Sequence, residues 1–203
     1  SRGSDLALWQ ASRVKSQLED LGCTVELEII LTQGDKIQDL SFDKMEGKGF
    51  FTKEIEEALL NKKIDLAVHS HKDLETNTPK GLLIAAVSER EDPSELLLIR
   101  KEAVNSSKRF SMKEKAIVGT SSARRKSQLL AFRSDIEIKE LRGNVPTRIN
   151  KLREGGYDAI MLAKAGVTRL KIDLSEFHVI ILDPKEFIPA PAQGVLGLQI
   201  REN

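Results

Sequence analysis

Ala116-Ile117-Val118-Gly119-Thr120-Ser121-Ser122-Ala123-Arg124-Arg125-Lys126-Ser127 joins a short apolar run to a helical pattern through a glycine and three hydroxyl residues. The order predicts a strand, a tight turn and a helix start. Hydroxyls at that turn can cap free backbone N–H groups, the helix dipole adds partial positive charge, and Arg124 and Arg125 offer planar donors for carboxylate or phosphate. The unit is the one from which α/β folds are assembled, and its turn is an anion site in outline. Taken alone, the same residues also fit an ordinary capped helix with a solvated basic face.

The arrangement recurs. Leu141-Arg142-Gly143-Asn144-Val145-Pro146-Thr147-Arg148 follows the alternating run Ile136-Glu137-Ile138-Lys139-Glu140-Leu141 and leads into a second helix pattern through Ile149 and Leu152. A third basic helix start opens the chain, where Arg2-Gly3-Ser4-Asp5 precedes Leu6, Leu8, Trp9, Val14, Leu18 and Leu21. Three such starts point to one polyanionic ligand.

Strands are predicted at 25–31, 64–69, 82–87, 116–118, 136–141, 157–162 and 178–182, and helices at 5–21, 50–62, 121–132, 145–154 and 164–170. Their alternation defines an α/β architecture. Polar breaks at Asn105-Ser106-Ser107-Lys108-Arg109-Phe110-Ser111 and Ile188-Pro189-Ala190-Pro191-Ala192-Gln193-Gly194 mark expected domain crossings.

The 203 residues carry 32 Lys+Arg against 31 Asp+Glu, a net charge of +1. That balance argues against bulk attraction to DNA or an acidic membrane, so the arginines must act locally. Aromatics at 4% offer few stacking platforms for nucleic acid. No apolar run approaches a membrane span and no signal-peptide pattern is present, so the expected location is cytoplasmic, although the chain opens at Ser1 without methionine. Cys23 has no cysteine to pair with and reads as a small semi-buried residue. His69, His71 and His178 are too few and too scattered for a metal site, and none is expected.

Ile64-Asp65-Leu66-Ala67-Val68-His69-Ser70-His71-Lys72-Asp73-Leu74 reads as a buried strand ending in a polar cluster, the place where open α/β sheets hold ligands. Lys72 can hold an anion and Asp73 can accept a proton or stabilise a cation; equally, the two can pair with surface neighbours. Gly47-Lys48-Gly49-Phe50-Phe51-Thr52-Lys53-Glu54 reads as a basic loop before a helix that buries Ile55, Ala58 and Leu59.

Taken in order, these motifs, from Arg2-Gly3-Ser4 through His69-Ser70-His71-Lys72-Asp73-Leu74 and Gly119-Thr120-Ser121-Ser122-Ala123-Arg124-Arg125 to Pro189-Ala190-Pro191-Ala192-Gln193-Gly194, closely resemble the hydroxymethylbilane synthase (porphobilinogen deaminase) family over essentially the whole chain. The resemblance implies two domains like type II periplasmic binding proteins with a ligand cleft between them, here 1–95 with 188–203 and 96–187. It implies head-to-tail condensation of four porphobilinogens to hydroxymethylbilane, with release of ammonia, in tetrapyrrole (haem) biosynthesis. Growth is primed on a dipyrromethane cofactor.

By the same resemblance Asp73 is the catalytic carboxylate, stabilising cationic pyrrole intermediates and transferring protons. Arg2, Ser4, Ser70, Lys72, Thr120, Ser121, Ser122, Arg124, Arg125, Arg142, Arg148 and Arg169 bind cofactor and substrate carboxylates, and Lys44 and Lys48 lie on a mobile loop. His71 stands where the family usually has an apolar residue, and Ala123 where it usually has leucine. The implied partners are porphobilinogen and the growing polypyrrole, with neither nucleic acid nor membrane, and the implied state is a monomer. The family's third domain carries the cysteine that anchors the cofactor; the chain, ending at Asn203, reads as the first two domains with that domain absent and is expected to be inactive alone. The competing reading is a non-catalytic two-domain module that binds small carboxylates.

Overall fold

Two compact units divide the chain in the computed structural model, which describes residues 1–32, 34 and 52–202. Ser1–Glu91 and Pro191–Asn203 form the first unit, and Asp92–Ala190 form the second.

The second unit is built on a five-stranded sheet in the order β5-β4-β6-β3-β7, where β3 is Glu95–Ile99, β4 Ile117–Gly119, β5 Glu137–Lys139, β6 Ala159–Ala163 and β7 His178–Leu182. β4 runs parallel to β5 and to β6, whereas β3 is antiparallel to both β6 and β7. Apolar clusters lie on both faces. Leu97, Ile99, Val118 and Met161 join Leu129 of helix α3 (Ala123–Phe132) on one side. On the other, Leu96, Leu98, Ile160 and Leu162 meet Ile149 and Leu152 of α4 (Val145–Arg153) and Val167 of α5 (Lys164–Leu170). A sheet covered on both sides asks for strands that are apolar at every position. β3 is apolar from Leu96 to Ile99, and all five of its residues, the opening Glu95 included, are buried.

In the first unit, β8 (Leu196–Arg201) lies between β1 (Ala67–Ser70) and β2 (Leu82–Val87) and is antiparallel to both. One extra residue in β2 bulges between Ile84 and Ala86. The core forms where Ile55 and Leu59 of α2 (Lys53–Leu60) meet Ala67 and Leu82. The predicted inward face of α2 is therefore correct: Ile55, Ala58 and Leu59 are all buried. Helix α1 (Asp5–Asp20) buries Gln10, Ala11 and Val14.

Three local expectations differ from the structure. Residues 25–31 alternate as a strand should, but they pair into no ladder among the described residues and expose Leu27, Ile29 and Leu31. Among the described residues, the Ile30 N–H donates to the Ser1 carbonyl and the Ser1 ammonium to the Glu28 carbonyl. Cys23 is exposed rather than semi-buried, because Gly22 at φ +88° and the Cys23 N–H bond back to Leu18 turn the chain outward past α1. β3 and β8, the inner antiparallel strands of the two sheets, were not anticipated.

Candidate functional site

In the second unit the parallel strands β4, β5 and β6 end at one sheet edge, where open α/β sheets place ligands. Ser122 caps α3, its hydroxyl accepting from the Arg125 N–H at 3.4 Å. Buried Thr120 accepts from the Ser122 N–H at 3.2 Å. Ser121 reaches sideways: its hydroxyl donates to the Leu141 carbonyl at 2.9 Å and accepts from the Leu141 N–H at 3.1 Å. That pair fastens the start of α3 to the segment leading into α4, so two of the three basic helix starts are neighbours.

The second start is shaped by Gly143, whose φ of +114° favours glycine and whose absent Cβ would lie 2.6 Å from Thr147. Asn144 caps α4, accepting from the Thr147 N–H at 2.9 Å. Basic residues of α4 fold back on their own loop: Arg148 Nε donates to the Gly143 carbonyl at 2.7 Å and Lys151 Nζ to the Arg142 carbonyl at 3.2 Å. Arg142 and Arg148 are half-buried there. Arg169 lies buried in α5.

Arg124 and Arg125, adjacent in sequence, have different environments. Arg125 is buried and fully engaged: Nε and Nη2 donate to the two oxygens of Glu95 at 3.1 and 2.7 Å, and Nη1 to the Met161 carbonyl at 3.1 Å. Arg124 donates to Glu95 and to the Ile188 carbonyl, but its side chain stays 27% exposed. Glu95 itself is fully buried at the start of β3. Burial alone would push its carboxyl up, and the Arg125 and Arg124 guanidiniums outweigh that and leave it below the ordinary value.

In the first unit Ser4 caps α1, accepting from the Ala7 N–H at 3.4 Å, with Arg2 half-buried just ahead of it. Gln10 Nε2, on α1, donates to the Ser70 hydroxyl at 2.9 Å, tying that helix to the carboxyl end of β1. There the chain enters a 3₁₀ turn, His71–Asp73. Lys72 Nζ donates to Gln193 Oε1 at 3.0 Å. Asp73 is exposed and makes no hydrogen bond or ion pair among the described residues.

Beside the turn opens a cavity of about 480 Å³ whose lining includes Glu56, His71, Lys72 and Gln199. His71 Nδ1 is buried there without a hydrogen-bond partner. His69 is buried against Gln199 at 3.0 Å, and burial pulls its imidazole down to about 4. Lys44 and Lys48 lie outside the described residues.

Motif reading singled out the basic and hydroxyl residues and missed their partners. Glu95, Gln193 and Gln10 each sit far along the chain from the group they hold, and no local pattern marks them. Asn144 could have been found, as a cap residue three positions before Thr147.

Two α/β units joined by two crossings, with a strand antiparallel to its parallel neighbours, define the class of two-domain folds like the periplasmic binding proteins. The probable amino-acid ABC transporter extracellular-binding protein of Bacillus subtilis matches 96% of this chain and 74% of its own at 13% identity, with a TM-score of 0.55. An ancestral cationic amino acid solute binding protein matches 96% of this chain and 72% of its own at 15% identity, with a TM-score of 0.51.

Within that class the sequence is more specific. Residues 1–203 match the family described as porphobilinogen deaminase, dipyromethane cofactor binding domain, and the chain belongs to that family. Porphobilinogen deaminases of Sulfurimonas denitrificans and Nitratidesulfovibrio vulgaris are 47% and 49% identical over 201 and 206 residues. The alignments cover 98% and 100% of this chain but 63% and 64% of those relatives, so the chain spans slightly less than two thirds of their length.

The cofactor the family is named for fits the groups present. A dipyrromethane with acetate and propionate arms offers carboxylates and ring N–H donors. The hydroxyl and arginine helix starts suit the first, and the exposed, unengaged Asp73 carboxylate suits the second. Among the described residues no helix is long and apolar enough to cross a membrane.

Proposed function

We propose that this chain supplies the substrate- and cofactor-handling part of a hydroxymethylbilane synthase, which condenses four porphobilinogens head to tail and releases an ammonia at each step. The observation that carries the reading is Asp73: a carboxylate left exposed and unengaged beside Lys72 on a turn at the end of β1, in a chain that matches the family from end to end.

Loss of the aminomethyl nitrogen from porphobilinogen leaves a cationic methylene-pyrrole. Asp73 stabilises that charge, accepts the pyrrole N–H, and moves the proton lost when the ring regains aromaticity. Lys72 holds a substrate carboxylate next to it. Arg2, Ser4 and Ser70 act from the same unit. Thr120, Ser121, Ser122, Arg142, Arg148 and Arg169 serve the carboxylates through the second unit, where Arg124 reaches the ligand and Arg125 holds the buried Glu95 carboxylate to which Arg124 is also bonded. Lys44 and Lys48 act from the preceding loop. Bound dipyrromethane supplies the nucleophilic pyrrole on which growth begins, and its carboxylate arms are held by the same arginines and hydroxyls. The two units are the two domains of that enzyme part, the protein works as a cytoplasmic monomer, and the 203-residue chain alone does not turn over.

The test is porphobilinogen consumption, with product detection, by this chain and by the full-length protein. Turnover by the full-length protein alone supports the reading. Turnover by neither, with tight binding of another small carboxylate, overturns it in favour of a binding module.

A further inference from the structure

Ser121 stands among the hydroxyl residues that open α3, but its hydrogen bonds set it apart from its neighbours. Thr120 and Ser122 accept backbone N–H groups and so keep their own protons for an acceptor. The single hydroxyl proton of Ser121 is committed to the Leu141 carbonyl at 2.9 Å, and the same oxygen accepts the Leu141 N–H at 3.1 Å. A carboxylate offers acceptors only, and this hydroxyl has no proton left to give it.

Strand register explains the arrangement. β4 and β5 pair in parallel at a constant offset, Ile117 with Glu137 through Gly119 with Lys139, and the Thr120 N–H carries the ladder on to the Lys139 carbonyl at 3.0 Å. Ser121 and Leu141 are the next pair at that offset. The backbone of Ser121 is by then turning into α3, and its side chain takes over both ladder bonds. Leu141 is buried, so both of its backbone groups depend on that one hydroxyl.

A second bond holds the same segment. Tyr157, buried just ahead of β6, donates its hydroxyl to the Glu140 carbonyl at 2.6 Å. Its ring and the Leu141 side chain close on Gly119, where a Cβ would lie 2.8 Å from Tyr157 and 3.0 Å from Leu141. Residues 140 and 141 are thus pinned twice immediately before Arg142.

We infer that Ser121 and Tyr157 are positioning residues for the proposed reaction: they set Arg142 at a fixed distance from the hydroxyls that open α3, so that both helix starts meet one carboxylate-bearing pyrrole. The inference rests on the function proposed above, and it gives Ser121 a part in binding without a contact to the ligand. A residue that only stabilises the fold would leave the affinity of the folded protein unchanged. One that touched the ligand would lose its share independently of Arg142.

Full-length holoenzymes carrying Ser121→Ala, Ser121→Thr, Tyr157→Phe or Arg142→Gln, and the pairs of Arg142→Gln with Ser121→Ala and with Tyr157→Phe, are compared in KM and kcat for porphobilinogen and in hydrogen exchange at the Leu141 amide. Ser121→Ala is expected to speed that exchange and to raise KM by about tenfold with little change in kcat; Tyr157→Phe raises KM by about threefold. Ser121→Thr, which keeps the hydroxyl, stays within about twofold of wild type. Arg142→Gln alone raises KM by about tenfold, but by no more than about twofold further in the Ser121→Ala background. Effects of Ser121→Ala and Arg142→Gln that simply multiply, or a KM unmoved by both Ser121→Ala and Tyr157→Phe, overturn the inference. If Ser121→Ala does not fold, the same cycle with Tyr157→Phe decides. A wild-type protein that consumes no porphobilinogen refutes the proposed function instead, and exchange at Leu141 still tests whether Ser121 holds that segment.

Discussion

Replacing Glu95 by alanine removes the one carboxylate that balances two guanidiniums at the start of α3. Arg125 is the critical partner, because its side chain is 7% exposed and two of its three donor nitrogens point at Glu95. Without Glu95 it keeps the Met161 carbonyl and no counter-charge. Breaking a buried pair from one side costs about 3–5 kcal/mol, since a desolvated charge is stranded. For a unit of roughly a hundred residues, that predicts a fall in melting temperature on the order of 20 °C.

The chain holds a single tyrosine, Tyr157, in the second unit, so the NMR signals of that ring follow the right transition. The double variant Glu95→Leu with Arg125→Met, which removes both charges and keeps apolar volume, should recover most of the loss. A Glu95→Ala protein that loses less than about 1 kcal/mol would refute the idea that Arg125 depends on this carboxylate. The pH sign is fixed as well. The folded carboxyl lies below its ordinary 4.5, so the stabilisation is whole above that value and disappears as pH falls through the folded one.

Asp73→Asn in the full-length protein should bind porphobilinogen almost normally and lose turnover by on the order of 10²–10⁴-fold, read by single-turnover kinetics; full turnover would remove Asp73 from the chemistry. Gly194→Ala should destabilise the first unit by on the order of 3 kcal/mol in urea unfolding, because the added methyl meets the Glu91 carbonyl oxygen at a φ that disfavours alanine. His69, pulled from 6.5 to about 4 in the folded state, is protonated first in the unfolded chain. Stability should therefore decline as pH falls from 6.5 towards 4, by about 3 kcal/mol in all, and level off below. Subtracting the pH profile of His69→Gln isolates that slope, and an imidazole that titrates near 6.5 by NMR would contradict it.

The parts of this molecule readable from sequence are those whose meaning is local. Gly119-Thr120-Ser121-Ser122 announces a capped helix start because the cap and the N–H it satisfies are three residues apart. Ile55, Ala58 and Leu59 announce an inward face because one helix turn brings them together. Glu95-Leu96-Leu97-Leu98-Ile99 gives no such sign. Covered on both faces, it shows no alternation, and leucine is a good helix former. Leu196–Arg201 contains a glycine and the buried Gln199, which pairs in register with Ala67 and Ile84 on strands far earlier in the chain.

The reverse error at 25–31 has the same cause. Alternation predicts a strand only if a neighbour is there to pair with it. At the site, motif reading finds the donors at Arg124, Arg125 and Lys72, but a side chain's role depends on what holds it. Glu95 and Gln193 become visible only when the chain is folded.

The placement of β8 bears on how the protein is made. A ribosome delivers β1 and β2 early, but the strand that lies between them comes only after the entire second unit has been synthesised. At translation rates of about 5–20 residues per second, the first unit waits seconds with its sheet open, while the second, drawn from one continuous stretch, has all its strands in hand. The expected order of folding therefore runs against the order of synthesis, the later-made unit first, and the nascent amino-terminal segment is the part of this protein with most need of a chaperone.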